Sequence, residues 1–71
     1  MKATDKPIDT ANHFIVCAGG STVRIGNPPL RPITPREAYN LAAWLMVLAR
    51  AVDPTLTVEE FRRTVDAIQN T

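Results

Sequence analysis

The chain has 71 residues, 45% of them hydrophobic, and eight Lys and Arg against seven Asp and Glu leave a formal net charge of +1. A single cysteine, Cys17, excludes a disulfide within the chain, and a single histidine, His13, without a ligand cluster argues against a metal site. So small a charge gives no general field for attracting nucleic acid. We therefore expect one small domain that gains stability from oligomerisation or from a partner.

The N-terminal stretch, residues 1–12, is polar and has no periodic pattern. This predicts a disordered arm in front of a single domain that spans 13–71. No apolar segment follows Lys2, so the arm does not resemble a signal peptide. Together with one unpaired cysteine, this favours a cytoplasmic protein.

Two short runs rich in β-forming residues, 14–18 and 21–25, flank a Gly-Gly pair. This pattern predicts a β-hairpin with a two-residue turn. The corresponding register sets Phe14 opposite Ile25 and places the apolar side chains on one face. That predicted core face consists of Phe14, Val16, Ala18, Val23 and Ile25.

A connector with four prolines in nine positions follows the hairpin at 27–35. Proline cannot donate to a sheet and restricts the residue before it, so the connector is expected to be stiff and extended. Rigid loops of this kind lose little entropy on binding. Arg24 and Arg31 give the hairpin and connector a small positive patch.

The first helix has a clear start signal. Thr34 is the expected N-cap, Pro35 takes the first helical position, and Glu37 completes a capping box. The helix is expected to run to about Val52 and to stop before an Asp-Pro pair. Its core stripe comprises Ala38, Leu41, Leu45, Leu48 and Val52.

Residues 41–49 are apolar without interruption, which is more than one core-facing stripe requires. The run is too short for a membrane span, which needs ~20 residues. The surplus predicts that a second copy of the chain, or a target, covers part of this helix. The predicted oligomer interface consists of Ala43, Trp44, Met46 and Val47.

The second helix is amphipathic. Thr57 is its expected cap and Glu60 closes the box. The short connection at 53–57 favours an antiparallel helical hairpin. The apolar stripe is Val58, Phe61, Val65 and Ile68. The predicted architecture is therefore α+β, a β-hairpin followed by an antiparallel helical hairpin (ββαα), expected to be oligomeric.

No arrangement of residues predicts catalysis, a metal or a cofactor. The sequence near His13 supplies no carboxylate partner, and Cys17 falls in the middle of a strand, where free cysteine is usually a small buried apolar residue. The Gly-Gly pair lacks the lysine and following helix of a phosphate loop. We therefore expect a binding protein and not an enzyme.

The segments 27–29 (NPP) and 37–45 (EAYNLAAWL) resemble small uncharacterised accessory proteins of tailed phages and prophages, in which a hairpin precedes an "ALNLAAWLV"-like helix. This resemblance covers about residues 14–49 and supplies no catalytic residues. It implies a short gene product that acts by binding inside an infected or lysogenic bacterial host.

The leading hypothesis is a phage-type inhibitor that binds a host protein complex, such as a defence complex (anti-CRISPR activity is one example) or the transcription machinery. The predicted contact residues are Arg24, Asn27, Pro29, Arg31, Tyr39 and Trp44. Arginine and aromatic residues are common at interface hot spots.

Two alternatives remain open. An oligomeric sponge for an immune nucleotide would bring Arg24 and Arg31 of neighbouring subunits around phosphates, with Tyr39 or Trp44 stacked on a base. A small DNA-binding regulator would read DNA with the second helix, but the acidic residues there disfavour it.

Overall fold

The computed structural model describes residues 8–71. Strands β1 (Val16–Gly19) and β2 (Thr22–Ile25) precede helices α1 (Pro35–Val52) and α2 (Val58–Gln69). The strands form one two-stranded antiparallel sheet. This confirms the predicted α+β class and the order of the elements.

The hairpin turn lies one residue later than predicted. Gly19 pairs with Thr22 and Val16 pairs with Ile25, so the two-residue loop is Gly20-Ser21. Gly20 has a φ of 59° and Ser21 does not share the left-handed conformation, as in a type II′ turn. Such a turn needs glycine only at its first position, which leaves Gly19 free to pair in β1.

The shift changes strand partners but keeps side chains on their predicted faces. The observed partner of each residue lies two positions further along the other strand than its predicted partner. Because side chains alternate between the two faces of a strand with a period of two, this shift does not change the face on which a side chain lies. Beyond β1, the Asn27 N–H donates to the Phe14 carbonyl at 3.0 Å. Phe14 therefore lies opposite Asn27, and the prediction that it lies opposite Ile25 is wrong.

An unusual backbone conformation precedes β1. Ile15 has a φ of 51°, a left-handed value that is strained for a β-branched residue. Its carbonyl accepts a hydrogen bond from the Gly26 N–H at 2.9 Å. A Cβ atom on Gly26 would lie 3.2 Å from Ile15, so glycine permits this close approach.

Helix α1 begins as the sequence predicts. The Thr34 hydroxyl accepts from the Glu37 N–H at 3.1 Å, and the Glu37 carboxylate accepts from the Thr34 N–H at 2.8 Å, which completes the capping box. The helix ends at Val52, and the Asp53 N–H closes it on the Ala49 carbonyl. Local chemistry thus sets both ends of α1.

The capping box makes stability depend on pH. The hydrogen bond from the Thr34 N–H holds the pKa of Glu37 below its ordinary value of 4.5, and the positive charge of Arg31 adds to this effect. A carboxylate with a lowered pKa in the folded state stabilises the fold above pH 4.5 and stops doing so as the pH falls through that lowered value.

We therefore expect the melting temperature, followed by circular dichroism, to fall below pH 4.5, and to fall less in Glu37→Gln. The glutamine oxygen can still accept from Thr34 but does not titrate. An unchanged pH dependence in this variant would contradict the assignment.

Helix α2 begins after a tight turn. The Thr57 hydroxyl accepts from the Glu60 N–H at 3.0 Å, which is the first half of the predicted capping box. In the turn, the Asp53 carboxylate accepts from the Thr55 N–H and hydroxyl, and the Arg50 Nε donates to the Leu56 carbonyl at 3.0 Å. These bonds hold the turn between α1 and α2.

The core is small and lies between the hairpin and α1. Among residues 8–71, Phe14 and Val16 are the buried apolar residues, and the structure packs α1 against both strands. The predicted α1 stripe is half-buried except for Ala38, which is exposed. Ala18 and Ile25 of the predicted core face are exposed as well, because two strands cover little of a helix.

Residues 8–12 lie against α1, although they belong to the predicted disordered arm. The Asn40 Nδ2 donates to the Asp9 carbonyl at 2.9 Å, and the Trp44 Nε1 donates to the Ala11 carbonyl at 3.1 Å. Two side chains of α1 thus tie this segment, here called the strap (residues 8–12), to the helix. The rest of the predicted arm lies outside the described residues.

Candidate functional site

The connector is exposed, and several predicted contact residues meet there. Asn27, Pro29 and Arg31 line one cleft of about 340 Å³ together with Phe14, Pro28 and Leu30. The side chains of Asn27 and Arg31 are exposed and Pro29 is half-buried. The structure therefore brings these three predicted residues together.

Leu30 at the centre of the connector is 95% exposed. Prolines lie directly before it and two residues after it, and the Arg31 Nη1 donates to the Pro32 carbonyl at 3.1 Å. The hydrogen bond from the Asn27 N–H to the Phe14 carbonyl anchors the connector to the core. A large apolar side chain is thus held in water on a stiff segment.

Tyr39 continues the exposed surface along the first turns of α1. It is 78% exposed and shares a shallow depression with Thr34, Pro35 and Arg36. Arg31 lies close enough to Glu37 to lower its pKa, although the bond from Thr34 lowers it more. The connector runs directly into the start of α1 at Thr34. We define the connector surface as Asn27, Pro29, Leu30, Arg31, Arg36 and Tyr39.

Arg24 lies on the exposed face of β2, in register with Cys17. Cys17 is also exposed, although the sequence favoured a small packing residue. A two-stranded sheet has one face on α1, so the residues of the opposite face meet solvent. Arg24 is thus free to contact a partner from the hairpin.

Trp44 lies apart from the connector surface. It is half-buried and lines a cleft of about 260 Å³ between the strap and α1. Its indole N–H already donates to Ala11. The structure therefore gives Trp44 a role in holding the strap, whereas the sequence predicts a contact residue.

The predicted oligomer interface is divided between two faces of α1. Ala43, Trp44 and Val47 line the strap cleft, whereas Met46 lines a groove between α1 and α2. This groove has a volume of about 390 Å³. Met46 and Val47 follow Ala43 by three and four residues, so these side chains lie on adjoining sides of the helix, and this interface stays a prediction.

The prediction that the sequence near His13 supplies no carboxylate partner is wrong, because Asp9 is four residues away and bonds to it. Its ring Nε2 lies 2.8 Å from the Asp9 carboxylate, and this hydrogen bond lowers the pKa of Asp9 below 3.8. Both side chains are exposed. The two residues are four positions apart, so this hydrogen bond is local to the strap and the residue that follows it.

Within residues 8–71 there is no group of three His, Cys, Asp or Glu side chains that could hold a metal ion. No helix in this part of the chain is long and apolar enough to cross a membrane.

Sequence reasoning missed two residues of the connector surface and one buried residue. Leu30 and Arg36 belong to no predicted contact set, although a leucine surrounded by prolines has little chance of burial. Asn40 is buried, and its Oδ1 has no hydrogen-bond partner within the described residues. No sequence pattern marked Asn40, because its burial follows from the strap crossing α1.

No protein-family model matches the chain, and neither a curated protein nor a solved structure is similar enough to count as a match. The resemblance to small phage proteins therefore stays an expectation from the sequence.

Proposed function

We propose that this chain is a non-enzymatic inhibitor that binds a protein complex of a bacterial host through the connector surface. The observation that carries the proposal is the exposure of Leu30 on a stiff, anchored segment. The resemblance to phage accessory proteins supports a host defence complex or the transcription machinery as the class of target.

The connector surface has the composition of an interface centre. Tyrosine and arginine are enriched at hot spots, and the connector surface includes Tyr39 and Arg31 as well as the apolar Leu30. Because prolines restrict this segment before binding, little conformational entropy is lost when a partner immobilises it. A surface of this kind supports tight binding from a small area.

The charge of the surface indicates an acidic partner. Arg31 and Arg36 lie on it, Arg24 lies on the hairpin, and Glu37 is engaged with the Thr34 N–H. Complementary charges mainly raise the association rate. Binding to the target is therefore expected to slow as salt concentration rises.

The test is a comparison of two variants in capture experiments. The connector variant combines Leu30→Ala, Arg31→Ala and Tyr39→Ala, and the control combines Glu59→Ala, Arg63→Ala and Asp66→Ala on the exposed side of α2. Purified proteins are incubated with bacterial host lysate, and bound proteins are quantified by mass spectrometry.

We expect the unmodified chain and the control to enrich the same host complex, and the connector variant to lose about 90% of it or more, the loss that ~1.4 kcal/mol of binding free energy produces. Equal capture by both variants would contradict the proposal. In cells that carry the corresponding defence system, phage plating should rise with the unmodified chain and not with the connector variant.

Calorimetry separates this proposal from the nucleotide-sponge alternative. The cleft at the connector contains one arginine, Arg31, so a site for a cyclic nucleotide would need a second subunit. Titration with a panel of cyclic nucleotides is expected to give no heat. Heat that disappears in Arg31→Ala would replace the inhibitor proposal with the sponge.

A further inference from the structure

Helix α2 has an apolar stripe that the chain itself covers only in part. Val58, Phe61, Val65 and Ile68 follow one another at intervals of three, four and three residues, the spacing of a coiled-coil seam. Val58 is 51% exposed, Phe61 41% and Ile68 67%, and Val65 is half-buried. We call these four residues the α2 seam.

The contact between the helices does not explain this stripe. The α2 side of the groove consists of Thr57, Glu60, Phe61 and Thr64. Only Phe61 belongs to both this set and the α2 seam. The groove therefore accounts for Phe61 but not for Val58, Val65 or Ile68.

The solvent-accessible surface of the chain is larger than that of a compact monomer of the same mass. A compact protein of 7.8 kDa exposes ~4,400 Å², whereas the surface of this chain is 5880 Å². A fully exposed segment as long as residues 1–7 contributes ~1,100 Å². When this area is subtracted, the remaining surface still exceeds that of a compact chain as long as residues 8–71 by ~700 Å². This surplus is similar in size to the ~800 Å² that each partner buries in a standard interface.

The α2 seam is complementary to a second copy of itself. In an antiparallel pair, Val58 meets Ile68 of the other copy and Phe61 meets Val65, so each layer joins a larger side chain to a smaller one. The helix dipoles oppose each other in this arrangement. The acidic residues of α2 lie outside the flanks of the seam, which carry Thr57, Arg62, Thr64 and Gln69.

We propose that this chain forms a two-fold symmetric dimer in which the α2 seams of two copies pair antiparallel. This interface differs from the connector surface, so each dimer presents two connector surfaces to its target. Two linked surfaces raise apparent affinity for a target that carries repeated sites.

Sedimentation equilibrium of the full chain across the micromolar range tests the dimer. We expect the unmodified chain to be dimeric and Ile68→Lys to be monomeric with an unchanged circular dichroism spectrum. Lysine is a good helix former and is favourable near a helix C-terminus, so this variant keeps α2 intact. The matched control is Val47→Lys, an exposed position of α1 that lines the strap cleft, which should remain dimeric.

A second pair of variants tests the antiparallel register. Side chains on a helix lean toward its N-terminus, so Gln69 and Arg62 of opposite copies lean toward each other across the seam. Gln69→Glu is expected to lower the dimer dissociation constant ~5-fold, and Gln69→Lys to raise it by a similar factor. In Gln69→Lys the new lysine lies three residues after Asp66 on the same helix, a spacing at which opposite charges stabilise the helix. Weaker dimerisation of this variant would therefore not reflect a weaker helix.

A monomer at every concentration would overturn the proposal and leave the α2 seam to a different molecule. Dissociation by Val47→Lys but not by Ile68→Lys would overturn it in favour of an interface on α1. Equal effects of the two Gln69 variants would overturn the antiparallel register.

Discussion

Replacing Phe14 by alanine is expected to abolish cooperative unfolding. Phe14 is 8% exposed and, with Val16, forms the buried apolar core of the described residues. Deleting a buried phenylalanine side chain costs ~3–5 kcal/mol. A single core in a chain of this length rarely supplies more than ~3–5 kcal/mol of stability, so the loss is comparable with the total. Urea titration followed by circular dichroism measures the effect.

Two further variants give this prediction its controls. Leu30→Ala removes a large apolar side chain that is 95% exposed, so its unfolding midpoint should match that of the unmodified chain. Phe14→Leu retains most of the buried volume and should lower the midpoint without abolishing the transition. An unchanged midpoint in Phe14→Ala would show that the core lies elsewhere.

Replacing Asn12 by alanine is expected to cause the second largest loss, ~1–3 kcal/mol. The Asn12 side chain makes two hydrogen bonds to Val16, one from the Val16 N–H to Oδ1 and one from Nδ2 to the Val16 carbonyl, both 2.8 Å long. Both are partly buried, so their loss leaves the start of β1 poorly satisfied. Asn27→Ala, which removes an exposed side chain, should leave the unfolding free energy unchanged.

The same hydrogen bonds hold Ile15 in its strained conformation. A left-handed β-branched residue costs ~1–3 kcal/mol and persists only where the surroundings fix it. Asn12 fixes the conformation of Ile15 in two ways. Its side chain bonds to Val16, and its backbone carbonyl accepts a hydrogen bond from the Ile15 N–H at 3.2 Å.

We therefore expect Asn12→Ala to cost less free energy in an Ile15→Gly background, because glycine adopts this conformation without strain. A double-mutant cycle from urea titrations measures the difference. Additive effects of the two substitutions would mean that Asn12 does not support the conformation of Ile15.

The connector surface shows how far local sequence reasoning reaches toward a site. The proline content predicts a stiff segment with Asn27, Pro29 and Arg31 on it, and the structure places these three residues around one cleft. Arg31 lies near the start of α1 because it precedes the Thr34 cap by three residues. The sequence therefore supplied part of the surface and missed Leu30 and Arg36.

Trp44 and Asn40 show the opposite case. The strap crosses α1 because these two side chains donate to carbonyls 33 and 31 residues away in the sequence. No periodic pattern in the sequence predicts such a contact, because the sequence of a polar segment without a pattern is the same whether the segment is free or bound to a helix. The sequence analysis did not predict the bond from Trp44 to the strap, and a partner contact of Trp44 stays a prediction.

The sequence by itself determined the elements of this protein, because their ends depend on neighbouring residues. Thr34 and Glu37 start α1, Thr57 starts α2, and a glycine makes the hairpin turn. Either glycine of the pair suits a two-residue turn, so the structure was needed to decide the hairpin register. Only the tertiary structure decided the place of the strap and the exposure of α2. These depend on contacts between distant segments, and two strands and two helices bury too little apolar surface for the pattern alone to choose which face is covered.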